Sequence, residues 1–144
     1  MGLNLIKLCV GVDTVDELRA WVDFRISEAI EAGRAPVHQH ITRMIPRRRD
    51  ELLDGGSLYW VIKGFVQVRQ RLADIQPFED AEGVGRCRLV LEPKLIATRP
   101  QPRRPFQGWR YLEAKDAPAD LGTVEGEAEM PEGMRRDLAE LGLL

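Results

Sequence analysis

The sequence predicts an α+β fold: a small curved β-sheet, or a small barrel, with flanking helices. Three observations predict it. A short apolar run opens the chain, one amphipathic helix follows, and the long segments after that alternate with the two-residue period of strands. A strand, a helix and then a run of strands does not build a doubly wound sheet.

The elements follow in order. Leu3 to Val10 reads as a buried strand, with Leu3, Leu5 and Lys7 on one side, Ile6, Leu8 and Val10 on the other, and Gly11 as its end. Thr14 and Glu17 have the spacing of a capping box, which satisfies backbone N–H groups at a helix start. Val15, Leu18, Val22, Ile26 and Ala29 then form one stripe, and Gly33 and Pro36 supply the stop, so a helix is expected over about residues 15–32. His40 to Ile45 alternates up to Pro46, and Arg47 to Leu53 suits a short helical turn closed by Gly55 and Gly56.

Leu58 to Leu72 is rich in β-branched and aromatic residues, and Gly64 is read as a bend in one long strand or between two collinear ones. Before Gly64, Leu58, Trp60 and Ile62 share a face; beyond it, Val66, Val68, Gln70 and Leu72 do. Past a turn at Asp80–Gly85, Cys87, Leu89 and Leu91 are the inward set of another strand, and Lys94 to Thr98 adds one more. Pro100, Pro102 and Pro105 cannot donate to a ladder, so Arg99–Arg110 is expected to be an extended loop. The domain is placed at residues 1–112. Residues 113–144 are expected to be an acidic linker with a short helix carrying Met134, Leu138 and Leu141.

The composition fits one domain, with 144 residues, 44% hydrophobic and 31% charged. No apolar run nears the ~18 residues of a spanning helix, and the first ten residues lack the pattern of a signal peptide, so a cytoplasmic protein without a membrane partner is expected. Cys9 and Cys87 stand alone and read as small buried hydrophobes. The net charge of −2 conceals an asymmetry. Residues 38–110 carry 14 basic and 8 acidic side chains, whereas residues 111–144 carry 3 and 9. A basic body beside an acidic tail points to an anionic partner, or to a tail that docks on its own or a partner's basic face in a homodimer.

Motifs for nucleotide-hydrolysing, dinucleotide-binding, serine-hydrolase or metalloprotease chemistry are absent. His38 and His40 would share one face of a strand but lack further ligands for a metal shell, and no cofactor is expected. Asp50, Glu51 and Asp54 flank the short helical turn; a metal-dependent hydrolase or nuclease-like reading would use Asp50 or Asp54. The denser constellation is basic and aromatic. Guanidinium groups fork onto phosphate and aromatic rings stack on bases, so a pocket rimmed by Arg43, Tyr59, Lys63, Arg69, Arg104, Trp109 and Arg110 would suit RNA or a modified nucleotide. On this reading the chain is a binding module rather than an enzyme.

Three strings carry a family resemblance: LIKLCVGV near the start, HITRMIPRRRDELLDGGSLYWVIKGFVQVRQ in the middle, and RPFQGWRYL. Over about residues 3–121 the chain resembles a bacterial family catalogued only as a domain of unknown function, which implies no activity. More loosely, the order of elements resembles the PUA-like barrels, including the ASCH and EVE groups, several of which read RNA or a modified base. The chain lacks the Gly-x-Lys-x-x-Glu-x-Arg signature of the ASCH pattern.

Overall fold

The computed structural model describes residues 2–124. Strand β1 (Leu3–Leu8) leads to helix α1 (Val15–Glu31), β2 (His38–Thr42) and the short helix α2 (Arg49–Leu53). Six strands follow: β3 (Ser57–Ile62), β4 (Phe65–Glu79), β5 (Gly85–Leu91), β6 (Leu95–Pro102), β7 (Trp109–Glu113) and β8 (Asp120–Val124).

The expected caps form. Thr14 Oγ1 accepts the Glu17 N–H at 3.1 Å, while Glu17 reaches back to the Asp13 N–H at 3.4 Å. At the other end Gly33 takes φ +71°, and the Gly33 and Arg34 N–H groups bond to Ile30 and Ala29. That pair is a Schellman closure, which favours glycine at the left-handed position.

The strands make one open mixed sheet, in the order β2-β5-β4-β3-β1-β7, with β6 pairing β4 and β8 pairing β6. It is an α+β architecture with a curved sheet. The path ends at β2 and β7 without a pairing between them, so the sheet does not close into a barrel. β1 and β3 are parallel and the other pairs antiparallel. Within the sheet, β4 serves two regions, pairing β3 and β6 along its first half and β5 along its second.

Central strand β3 is buried on both faces. On one face, Leu58, Trp60 and Ile62 join Leu3, Leu5, the inner stripe of α1 and Leu52 of α2 in the larger core, which includes Cys87, Leu89 and Leu91. On the other face, Tyr59 and Val61 join Ile6, Val66 and Leu112, with Phe106 and Ala117 packed against them. Two-sided burial is what a near-continuous apolar run encodes. The register shifts between Trp60 and Val61, opposite Val66 and Val68, which places these two valines in different cores. Gln67, the residue between them, donates to the Ile62 carbonyl at 2.7 Å.

Three expectations are corrected. The Leu58–Leu72 segment is a hairpin rather than a bent or collinear strand: Lys63 and Gly64 take φ +52° and +83° and reverse the chain between β3 and β4. Two successive positive φ values give a two-residue turn whose twist matches the flanking strands. The loop expected from Arg99 begins later, because Pro100 and Pro102 lie in β6. β8 accompanies β6 only as far as Thr98, so these prolines occupy a free edge where no ladder N–H is needed. Finally, residues 113–124 are not linker. Glu113 ends β7, a 3-10 turn follows at Ala114–Asp116, and β8 pairs with β6. The remainder of the expected linker and the expected C-terminal helix lie outside the described residues. No helix among the described residues is long and apolar enough to cross a membrane.

Candidate functional site

A cleft of about 660 Å³ opens between the first half of α1 and the ends of β1, β2 and β3. Its walls follow from strand periodicity. Leu3, Leu5, Lys7 and Cys9 project to the α1 side of the sheet; the two leucines enter the core, and Lys7 and Cys9 continue the row into the cleft. Lys7 stands in register between Trp60 of β3 and Trp109 of β7, both buried. His38 and His40, two apart in β2, line the same space with Trp60. From α1 come Trp21 and Phe24, which stack with ring centroids 5.9 Å apart at the mouth. They are 48% and 54% exposed.

Burial dominates the electrostatics. It lowers the Lys7 pKa from the usual lysine value, because a desolvated ammonium is disfavoured; nearby Cys9 opposes the shift. Lys7 has no ion-pair partner among the described residues. Burial also pushes the Cys9 thiol up to about 12, so it is protonated at neutral pH and a poor nucleophile. His40 is pushed down to about 4 by burial, with smaller contributions from Lys7 and His38. Its ring stands edge-on to Trp60 at 5.2 Å, and its buried Nε2 has no hydrogen-bond partner. His38 is lowered as well, by burial first, then by Arg25 and Arg19 of α1, against a hydrogen bond from its side chain to Gln70 that raises it. The cleft thus presents neutral imidazoles, an unpaired amine, aromatic faces and the carboxylate of Glu17, which is engaged in the α1 cap through the Asp13 N–H.

The seven residues expected to rim one pocket are distributed over both faces of the sheet. Tyr59 and Trp109, expected to stack on a base, are 7% and 4% exposed and belong to opposite cores. Neither offers a free ring face. Trp109 instead donates its indole N–H to the Met44 carbonyl at 2.7 Å and meets Tyr111 edge-on. Arg69 is engaged by Asp120 at 2.7 and 2.9 Å and by Ser57 Oγ at 2.7 Å. Lys63, at the hairpin turn, pairs with Asp13 at 3.8 Å, and Arg43 is exposed just after β2. Arg104 and Arg110 do come near each other through Phe106: Arg104 lines an open polar depression with Phe106, and Arg110 lies over that ring at 5.3 Å. Phe106 packs against the smaller core, so this depression is on the sheet face opposite the cleft.

The carboxylates of the hydrolase reading are both exposed, Asp50 within α2 and Asp54 just after it. Asp50 is fully exposed and Glu51 is paired with Arg48 at 2.6 Å. No group of three His, Cys, Asp or Glu residues suited to a metal ion occurs among the described residues. The cleft residues Lys7, Trp21 and Phe24 were missed as a site. Their signals were present: a lysine interrupting an apolar row, and two aromatics three apart on a helix but off its buried stripe.

Fold and cleft together define a small α+β protein whose open mixed sheet is covered by one long helix, with a mostly apolar cleft at their junction. The chain belongs to the family described as "Protein of unknown function (DUF1489)", whose model matches residues 5–144. No curated protein and no solved structure matches it.

Proposed function

We propose that this chain is a binding module for a small planar ligand carrying an acidic group, with a nucleotide or modified base as the class that meets both requirements, and that the ligand sits in the α1 cleft. The observation that carries this reading is Lys7. A core position in β1 holds an amine that lines the cleft, is half-desolvated and has no carboxylate partner among the described residues. Such a group costs stability in the empty protein, and a ligand anion offsets that cost. Trp21, Phe24 and Trp60 supply apolar ring surface beside it, and stacking on an aromatic side chain contributes ~1–3 kcal/mol per base.

Calorimetric titration with a panel of nucleoside monophosphates and the matching nucleosides tests the reading. Binding of the phosphorylated forms is expected to weaken about tenfold or more in Lys7→Met and in Trp21→Ala. Absence of binding across the panel, or wild-type affinity in both variants, overturns it.

A second reading rests on the opposite face, where Arg104 and Arg110 flank Phe106 and Arg103 and Lys115 join them around the open depression. That arrangement suits the backbone of single-stranded RNA. It predicts salt-dependent RNA binding that falls in Arg104→Ala and Arg110→Ala and is indifferent to Lys7→Met. RNA binding unchanged in both arginine variants counts against it.

A further inference from the structure

Gln70 is fully buried and makes three contacts that together fix a proton elsewhere. Its Oε1 accepts from Trp60 Nε1 at 2.9 Å, and its Nε2 donates to the Glu92 carbonyl at 2.9 Å. Both partners work one way only, since an indole N–H can only donate and a carbonyl can only accept. The amide therefore cannot be turned over without losing two buried hydrogen bonds. His38 Nδ1 lies 3.3 Å from the same Oε1. An amide oxygen cannot donate, so the hydrogen of this contact resides on Nδ1. With the ring held neutral by its burial, Nε2 is left with a lone pair. No hydrogen bond to that nitrogen occurs among the described residues, and the ring lines the cleft.

We propose that His38 is a fixed hydrogen-bond acceptor of the cleft, and that it selects planar ligands presenting a ring N–H, as in lactam-type bases, over analogues in which that nitrogen is alkylated. The inference rests on the cleft being the ligand site. A ligand that covers the open Nε2 of His38 without supplying an N–H shuts out water and leaves the acceptor unpaired, which makes rejection of the analogue stronger than a lost contact alone. Gln70 acts as a positioning residue: it touches no ligand, and it sets which nitrogen of His38 faces one. The groups facing His38 are Arg19 and Arg25 from α1 and His40 from its own strand; the two arginines and burial all disfavour the imidazolium.

Two measurements on the full chain decide the matter. Long-range proton–nitrogen NMR correlations of the histidine rings at pH 7.5 report the tautomer without any ligand. His38 is expected to show a protonated Nδ1, and an Nε2-protonated ring overturns the proposal. Gln70→Met, which keeps the volume and removes the acceptor, is expected to release that tautomer preference; an unchanged spectrum in a folded variant also overturns the role of Gln70.

The second measurement compares inosine monophosphate with its N1-methyl analogue. The wild type is expected to bind the methylated compound about tenfold or more weakly, and His38→Phe to lose the distinction. Equal binding of the pair by the wild type overturns the selection. If neither compound binds, the proposed ligand class falls instead, and the NMR result alone decides the assignment of His38 as the acceptor.

Discussion

Arg69 forks onto Asp120 through Nε–Oδ1 and Nη2–Oδ2 contacts of 2.9 and 2.7 Å, joining the first half of β4 to the first residue of β8. The pair spans β6, which lies between the two strands, and Arg69 also donates to Ser57 Oγ of β3. A side chain that reads in sequence as a basic surface group is a clasp across four neighbouring strands, β3, β4, β6 and β8. Asp120→Ala is expected to cost about 1 kcal/mol in denaturant unfolding, modest because Asp120 is half exposed, and to speed amide exchange at Gly122 and Thr123. Asp120→Asn, which keeps one acceptor, should lose less. Exchange in β8 equal to wild type in the alanine variant refutes the clasp.

The two glycines after α2 are expected to respond differently to alanine. A Cβ on Gly56 would collide with the carbonyl oxygens of Leu52 and Leu3, neither of which can move without displacing α2 or β1. Gly56→Ala should cost more than about 3 kcal/mol and yield little folded protein. Gly55 has open space around its Cβ direction but φ +85°, so Gly55→Ala should cost only about 1 kcal/mol. Circular dichroism melts of the two variants make the comparison.

Lys63→Asn should stabilise the protein by about 0.5 kcal/mol. It places asparagine, which tolerates a left-handed conformation, at a position with φ +52° before Gly64, and it sacrifices only an exposed 3.8 Å ion pair to Asp13. The midpoint of urea unfolding reads this directly. The same variant removes one cation of the originally expected nucleic-acid rim, so its RNA affinity can be read in parallel.

Lys7→Met should raise the melting temperature while removing ligand affinity. The variant replaces a desolvated, unpaired amine with an apolar chain of similar length, a gain of about 0.5–1 kcal/mol. A lysine retained for folding would show the opposite sign.

Stability should fall as pH is lowered from about 6.5 towards 4. His38 and His40 have lowered pKa values in the folded chain, His40 to about 4, so across that window the unfolded state binds more protons than the folded one. His40 alone contributes on the order of 2 kcal/mol of this loss. Below pH 4 a separate loss follows, as Asp74, Asp80 and Asp120, whose pKa values are held low by their hydrogen bonds, take up protons. His40→Phe should flatten the upper window and leave the lower one, as measured by unfolding at a series of pH values.

Local chemistry was legible in the sequence wherever the physics is local. The Thr14–Glu17 cap, the α1 stripe, the Gly33 stop and the inward set Cys87, Leu89 and Leu91 all depend on neighbours within a few residues, and all stand in the structure. The reversal at Lys63–Gly64 was harder to read because lysine is an uncommon occupant of a positive-φ turn position. The prolines of β6 misled for a different reason: whether a strand can hold proline depends on which neighbour lies alongside, and β8 is twenty residues away in the chain. The site was least legible. Arginines and aromatics advertise binding by residue type, but Trp109, Tyr59 and Arg69 had their partners in Met44, the second core and Asp120. Lys7, with no partner, gave the quieter signal.

The pairing of β1 has a consequence for how the chain is made. β1 is made before the other described strands, yet its two neighbours are β3, about fifty residues later, and β7 near the end of the described residues. At ~5–20 residues per second, one of its edges waits seconds for β3 and the other several seconds more for β7. During that interval the apolar run Leu3–Leu8 leaves the ribosome with open backbone and no helix yet packed over it, a template for pairing with another nascent copy. Lys7, next to last in that run, sets a charge among its apolar residues, the placement expected of a residue that disfavours pairing between nascent copies.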